Sequence, residues 1–225
     1  MSAGPVDARP VLLFDVDGTV VDSAPGMVRS LQAAMAAVGL EPAAEGQLRA
    51  DLGPPPAVML AGVGVPESLI NDAVIAYRAH YRQVGMDRAE AFAGVPEALG
   101  GLCAGYRLAT ATMKLIDTAT EFLARHGLRD HFEVVGGARN GVFDKAAIIA
   151  ETRVALGSPA AENMIMIGDR HSDISGGHSN GLRTIAVSWG YGSRAELEAS
   201  EPDVIIDRPD QLAEAATRLL QSATA

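Results

Sequence analysis

The run Val11-Leu12-Leu13-Phe14, four apolar residues closed abruptly by Asp15, constrains this chain more than any other stretch. A strand without polar alternation has no face to offer water, so it belongs inside a parallel sheet covered on both sides. Similar runs recur at 106–111, 132–135, 164–167, 184–187 and 204–206. Stretches with helical spacing, 116–125 and 145–156, lie between them. Strand and helix in alternation predict βαβ units and an α/β layered core.

The rhythm breaks between 22 and 92, where the pattern is helical throughout. Met27, Leu31, Met35 and Val38 fall on one face of a first helix. Ser23 stands where a cap is expected, Pro25 in the first turn and Gly39 at the stop. Segments 49–52, 57–61 and 67–81 also read as helices, and Gly53-Pro54-Pro55-Pro56 as a stiff corner between two of them. The expected organisation is a sheet core built from 1–21 and 93–225, with 22–92 inserted as a helical domain.

Charge excludes more than it proves. The net charge of −10 argues against a nucleic acid polymer or an anionic membrane surface as partner. Hydrophobic residues form 48% of the chain, enough for a sizeable core. Cys103 is the single cysteine, which excludes an internal disulfide and reads as a buried structural thiol. Residues 1–10 hold no apolar signal stretch, and no window approaches membrane-spanning length. The expectation is a cytoplasmic protein.

The informative residues sit where apolar runs end, and ligand sites in open α/β sheets lie outside the carboxyl ends of the strands. Asp15 and Asp17 follow the first run in Asp15-Val16-Asp17-Gly18-Thr19, Thr112 follows the second, and Asp169 and Asp173 follow the fourth. Lys145 opens the helix between the third and fourth runs. Carboxylates crowded there repel one another unless a cation intervenes, and an oxygen-only set without a histidine or cysteine cluster suits Mg²⁺. Such an ion would also ease the approach of an anionic nucleophile to an anionic phosphate. Of the two early aspartates, one carboxylate can attack phosphorus while the other, two residues on, protonates the leaving oxygen. Gly18 leaves room for backbone N–H groups to approach phosphate oxygens, Thr112 adds a hydroxyl and Lys145 a point charge.

With these residues in place, the chain resembles the haloacid dehalogenase superfamily, in the branch of phosphoglycolate-phosphatase-like and 5′-nucleotidase-like proteins. The segment 15–23 is similar to the first motif, Thr112-Met113-Lys114 to the second, Lys145 to the third and Gly168-Asp169-Arg170-His171-Ser172-Asp173 to the fourth. The resemblance implies a Rossmann-like parallel core with an α-helical cap inserted after the first strand. It implies Asp15 as nucleophile and Asp17 as general acid, then as the base that activates water. Mg²⁺ would be held by the Asp15 side chain, the Asp17 carbonyl and Asp169, with Asp173 behind them or acting through water. Thr112, Lys145 and the backbone at Gly18 and Met113 would hold the phosphoryl group. Met113 replaces a small polar residue usual in the family and Leu115 a frequent proline, which places an apolar side chain at the pocket mouth. Arg49, Gly53 and Pro54 in the cap, with Lys114, are the candidates for substrate specificity.

The expected activity is Mg²⁺-dependent hydrolysis of a small phosphorylated metabolite through an aspartyl-phosphate. A phosphomutase on the same scaffold, which returns the phosphoryl group to a sugar, is one alternative, and a non-catalytic phospho-acceptor module is another. Segment 136–141 does not fit a dinucleotide-binding glycine pattern and is expected to be a loop leading to Lys145. His171 and His178 are expected in surface or capping roles, and Trp189 and Tyr191 either shape the cleft or pack.

Overall fold

In the computed structural model, which describes residues 7–50, 52–139 and 143–221, strand β1 (Val11–Phe14) is the inner strand the sequence predicts. All four of its residues are buried. It pairs in parallel with β4 (Arg107–Leu115) on one side and β6 (Met164–Gly168) on the other. With β5 (Val134–Ala138), β7 (Arg183–Val187) and β8 (Val204–Ile206) they form one sheet in the order β5-β4-β1-β6-β7-β8. Every pairing in it is parallel.

The chain works outward from β1 through β4 to β5, then crosses back to β6 and works outward the other way. The reversal leaves a crevice at the carboxyl ends of β1 and β6, the position where open α/β sheets bind ligands. Asp15 and Asp169 are the residues that follow those two strands.

Helices α5 (Val95–Leu102), α6 (Ile116–Arg125), α7 (Lys145–Ala155), α8 (His171–Ser179), α9 (Arg194–Ala199) and α10 (Leu212–Gln221) complete this unit. On one sheet face Val11, Leu13, Ala109, Ala111, Met164 and Met166 pack against Ile148 and Ile149 of α7. That apolar layer fixes the start of α7, where Asp144 caps by accepting the N–H of Ala147 at 2.7 Å.

The chain divides into two compact units, and Val21–Ala91 is the second. It opens and closes with a two-residue antiparallel ribbon, β2 (Val21–Asp22) with β3 (Glu90–Ala91). Between them run α1 (Ala24–Ala37), α2 (Glu45–Ala50), α3 (Pro56–Gly62) and α4 (Glu67–His80). Met27, Leu31 and Met35 of α1 face inward as the spacing predicts. After α4 the chain continues as a wider π turn, Tyr81–Gly85, and Tyr81 stacks on Tyr77 with ring centroids 5.7 Å apart. Among the described residues, no helix is long and apolar enough to cross a membrane.

Four expectations need correction. Ser23 does not cap α1 through its side chain: its own backbone is already helical (φ −92°, ψ −3°), and Asp22 accepts the N–H of Ala24 instead. The helix expected at 49–52 lies earlier, at Glu45–Ala50. The third strand runs later than 132–135 and takes in Gly136 and Gly137, where a loop is expected; Asn140 and Gly141 lie outside the described residues. Strand β4 does not stop before Thr112 but continues to Leu115 through a bulge: Thr112 pairs with Gly137 and Leu115 with Ala138, leaving Met113 and Lys114 as extra residues.

Candidate active site

Each acidic side chain reaches the crevice for a local reason. The Asp15 N–H donates to the Ile167 carbonyl at 2.9 Å, extending the β1–β6 ladder by one residue, and its carboxylate accepts the N–H of Val16 at 2.8 Å. Gly18 turns the chain with φ 85°, and a Cβ there would collide with the Asp169 carboxylate, so only glycine fits. Thr19 then donates its hydroxyl to Asp169 Oδ1 at 2.9 Å. Asp173 is the third residue of α8 and accepts the N–H of Arg170 at 3.0 Å, which closes that helix's first turn.

Asp15, Asp169 and Asp173 are all buried, and one ligand atom from each lies within 4.8 Å of the others. The Lys145 ammonium answers two of them. Lys145, the first residue of α7, places Nζ 2.7 Å from Asp173 Oδ1, 3.1 Å from Asp15 Oδ1 and 2.8 Å from the Ala111 carbonyl. Burial pushes the Asp15 carboxyl up to about 6; Asp173 and Asp17 add to the rise, while Lys145 pulls it back. Burial, then the charges of Asp173 and Asp15, push Asp169 up to about 8 against the pull of the Tyr191 N–H and the Thr19 hydroxyl. Burial also opposes the charge on Lys145, but Asp15 and Asp173 outweigh it and hold the ammonium well above the ordinary lysine range.

A donor set of three buried carboxylates, two of them reluctant to ionise and with no sulfur or imidazole among them, fits a hard divalent cation such as Mg²⁺. The Asp17 carboxylate stands outside that group, paired with Lys114 Nζ at 3.1 Å.

The other expected residues divide. Thr112 is buried beside the cluster's strand ends, its Oγ1 accepting the Lys114 N–H at 3.2 Å. Met113 and Leu115 are part-buried and pack against the apolar core of the sheet. Arg49 is exposed and paired with Glu45 one turn earlier at 2.8 Å; Gly53 and Pro54 follow α2 in the helical unit. Cys103 is half-buried rather than buried, with its sulfur 3.8 Å from His131 Nδ1. His171 meets Glu196 at 3.0 Å and His178 meets Thr184 at 3.2 Å; neither belongs to the carboxylate group.

Three further contacts support the carboxylate-bearing turns. The backbone N–H of Tyr191 donates to Asp169 Oδ2 at 2.7 Å, and Trp189 Nε1 donates to the Thr19 carbonyl at 3.0 Å. Together they tie the loop after β7 to both carboxylate-bearing turns. Glu196 accepts from Arg170 Nε, His171 N and His171 Nδ1, bracing the turn between Asp169 and Asp173. Burial in part opposes its charge, yet those donors hold its carboxyl down to about 2. A backbone donor leaves no mark in a sequence, but Ser193-x-x-Glu196 is a helix-start signature that could have marked the brace.

A family model described as haloacid dehalogenase-like hydrolase matches residues 12–187. The chain is 35% identical over 208 residues to the tyrosine-protein kinase PtkA of Mycobacterium tuberculosis, covering 91% of this chain and 70% of that protein. It is 35% identical over 197 residues to a 5′-nucleotidase of Pseudomonas aeruginosa, covering 86% and 89% respectively. The haloacid dehalogenase-like hydrolase SP0104 of Streptococcus pneumoniae superposes with a TM-score of 0.87 at 27% identity, over 92% of this chain and 98% of that one.

Proposed function

The chain belongs to the haloacid dehalogenase-like hydrolase family, and from that premise we propose that it is a phosphatase that hydrolyses a small phosphomonoester through a phosphorylated Asp15. One observation carries the reading: Asp15, Asp169 and Asp173 gather within 4.8 Å of one another, with Asp17 two residues from the first. Packing gives no reason to bury that much negative charge at one place.

The Asp15 carboxylate, held beside the Lys145 ammonium that favours its charged form, is able to attack phosphorus. Its new bond to phosphorus forms as the bond to the leaving oxygen breaks, and Asp17 gives that oxygen a proton. Asp17 then takes a proton from water, whose oxygen displaces Asp15 and releases inorganic phosphate. Lys145 and Thr112 hold the phosphoryl oxygens, and Lys145 also keeps the nucleophile in place. Mg²⁺, when bound by Asp15, Asp169 and the Asp17 carbonyl, supplies positive charge that offsets repulsion between carboxylate and phosphate. Asp173 serves by holding Lys145. We assign substrate choice to the helical unit, with Arg49, Gly53 and Pro54 as its candidates.

The test is a panel of 5′-nucleotides, sugar phosphates and two-carbon acid phosphates, scored for phosphate release with and without Mg²⁺. Release that needs the metal and disappears in Asp15→Asn is the expected result. Unchanged turnover in Asp15→Asn would end this mechanism.

The likeness to a protein named a tyrosine kinase favours a second reading, in which a tyrosine hydroxyl replaces water as the final acceptor. The two separate on supplying labelled ATP with and without a tyrosine-containing peptide. Label on tyrosine supports the second reading, and label found solely as inorganic phosphate removes it.

A further inference from the structure

We propose that Lys114 is the positioning residue for Asp17, and that the bulge in β4 exists at this place to deliver its ammonium there. The inference rests on the phosphatase reading and adds a division of labour between two lysines.

An unbroken β4 would alternate its side chains across the sheet, and Lys114 would project from the face that Thr112 shares. The register shift between Thr112 and Leu115 removes that constraint for Met113 and Lys114. Bulges of this kind re-aim a side chain. Two contacts fix the bulge. The Lys114 N–H donates to Thr112 Oγ1 at 3.2 Å, and the Lys114 carbonyl lies 2.6 Å from where a Cβ on Gly137 would stand. A side chain at Gly137 would push the bulge out, which is why the adjoining strand carries glycine there.

The re-aimed side chain is tightly held. Lys114 Nζ is 3.1 Å from Asp17 Oδ2, with the two side chains 8% and 14% exposed. The same nitrogen sits 4.8 Å from the centre of the fully buried Phe122 ring, on the side of α6 that faces the sheet. An aromatic face attracts the cation without taking up its N–H donors. A lysine on a flexible stem loses several rotamers on burial, and the ring together with the carboxylate offsets that loss. Lys145 thus serves Asp15, and Lys114 serves Asp17. The Asp17 side chain, as the acid that meets a leaving oxygen and then as the carboxylate that meets a water, is held in one orientation for both.

Lys114→Met and Lys114→Arg, each made in the wild-type and the Asp17→Asn backgrounds, test this. Lys114→Met is expected to lower kcat for an alkyl phosphate by about 10–100-fold, the range for losing a charged hydrogen bond. KM should stay nearly constant, and the loss should be smaller for p-nitrophenyl phosphate, whose leaving group needs no proton. Lys114→Arg should restore much of kcat. In the Asp17→Asn background Lys114→Met should cost nothing more, because a residue that acts through another has no effect once that other is gone. An undiminished loss in that background, or a raised KM at constant kcat, would show that Lys114 touches substrate directly and would overturn the proposal.

A proton–nitrogen NMR spectrum gives a readout independent of turnover. The Lys114 ammonium signal should resist solvent exchange in the wild type and vanish in Asp17→Asn. Equal exchange in both overturns the pairing. Should the wild-type protein release phosphate from no ester at all, it is the phosphatase reading that fails, and this spectrum alone decides whether Lys114 holds Asp17.

Discussion

The two ends of the same sheet bury charge in opposite ways. At the amino end Arg107, which opens β4, is 6% exposed and fully answered. Its Nε and terminal nitrogen donate to the two Glu133 oxygens at 2.8 and 2.7 Å, and the same terminal nitrogen reaches the Leu156 carbonyl at 2.8 Å. Hydrogen bonding to Arg107 holds the Glu133 carboxyl below its usual range, and the reciprocal bond holds Arg107 above its own. At the carboxyl end three buried carboxylates gather, and the Lys145 ammonium pairs with two of them, Asp15 and Asp173. A matched pair is what packing tolerates. An unmatched surplus raises the energy of the folded chain, and it persists where a ligand of opposite charge is to be received. The difference separates a structural ion pair from a candidate functional site without reference to any relative.

The largest effect should come from removing one member of the surplus. Asp169→Asn deletes a carboxylate whose charge burial disfavours and which the ion would use. Electrostatic help from a metal is worth several kcal/mol, so phosphate release should fall by roughly 10²–10³-fold. The metal-free variant should melt higher than the metal-free wild type at pH 8, because a repelling charge has gone. A variant that is both slow and less stable without metal would mean that the carboxyl end, like the amino end, is built for stability.

Breaking the matched pair should do the reverse. Glu133→Gln leaves the buried Arg107 charge half answered while water reaches the exposed side of position 133. The full cost of orphaning a buried ion is about 3–5 kcal/mol, and screening at a half-exposed partner reduces it to about 1–3 kcal/mol here. Denaturant unfolding should register that loss, and kcat should not change. A fall in kcat at unchanged stability would show that the two ends are coupled through β4 and would dissolve the contrast.

How much of this a sequence reveals depends on where the determining atoms lie. The inner strands were legible because each is apolar on both faces, as in Val11–Phe14, and the site aspartates because they close those runs. The bulge was not legible. Thr112-Met113-Lys114-Leu115 suits an ordinary strand, and the shift is imposed by the neighbour, where Gly137 admits the Lys114 carbonyl. The same glycines disguised β5 as a loop, since glycine weakens a strand wherever no close approach requires it. In the sequence Tyr191 stands out by its ring, whereas its backbone N–H makes the contact with Asp169. Patterns report burial and strand ends well; they are silent about register and about main-chain donors.

Stability against pH probes the surplus directly. Asp15 and Asp169 carry carboxyls raised from 3.8 to about 6 and about 8. Between roughly pH 4 and pH 8 the metal-free folded chain therefore keeps protons that the unfolded chain has released, so stability falls as pH rises. Their contribution is fully present below the unfolded value and lost above the folded one. Lys145, whose ammonium is raised above 10.5, stays charged in both states throughout that window and adds no slope. Even one pKa unit is about 1.4 kcal/mol, or about 3–6 °C for a chain of this size. In EDTA the melting temperature should drop by at least that amount between pH 5.5 and pH 8, and Mg²⁺ should flatten the decline by displacing the protons. A flat profile in EDTA would mean that the carboxylates ionise freely where they are. The carboxyl end of the sheet would then hold no more unmet charge than the Arg107–Glu133 pair at the other.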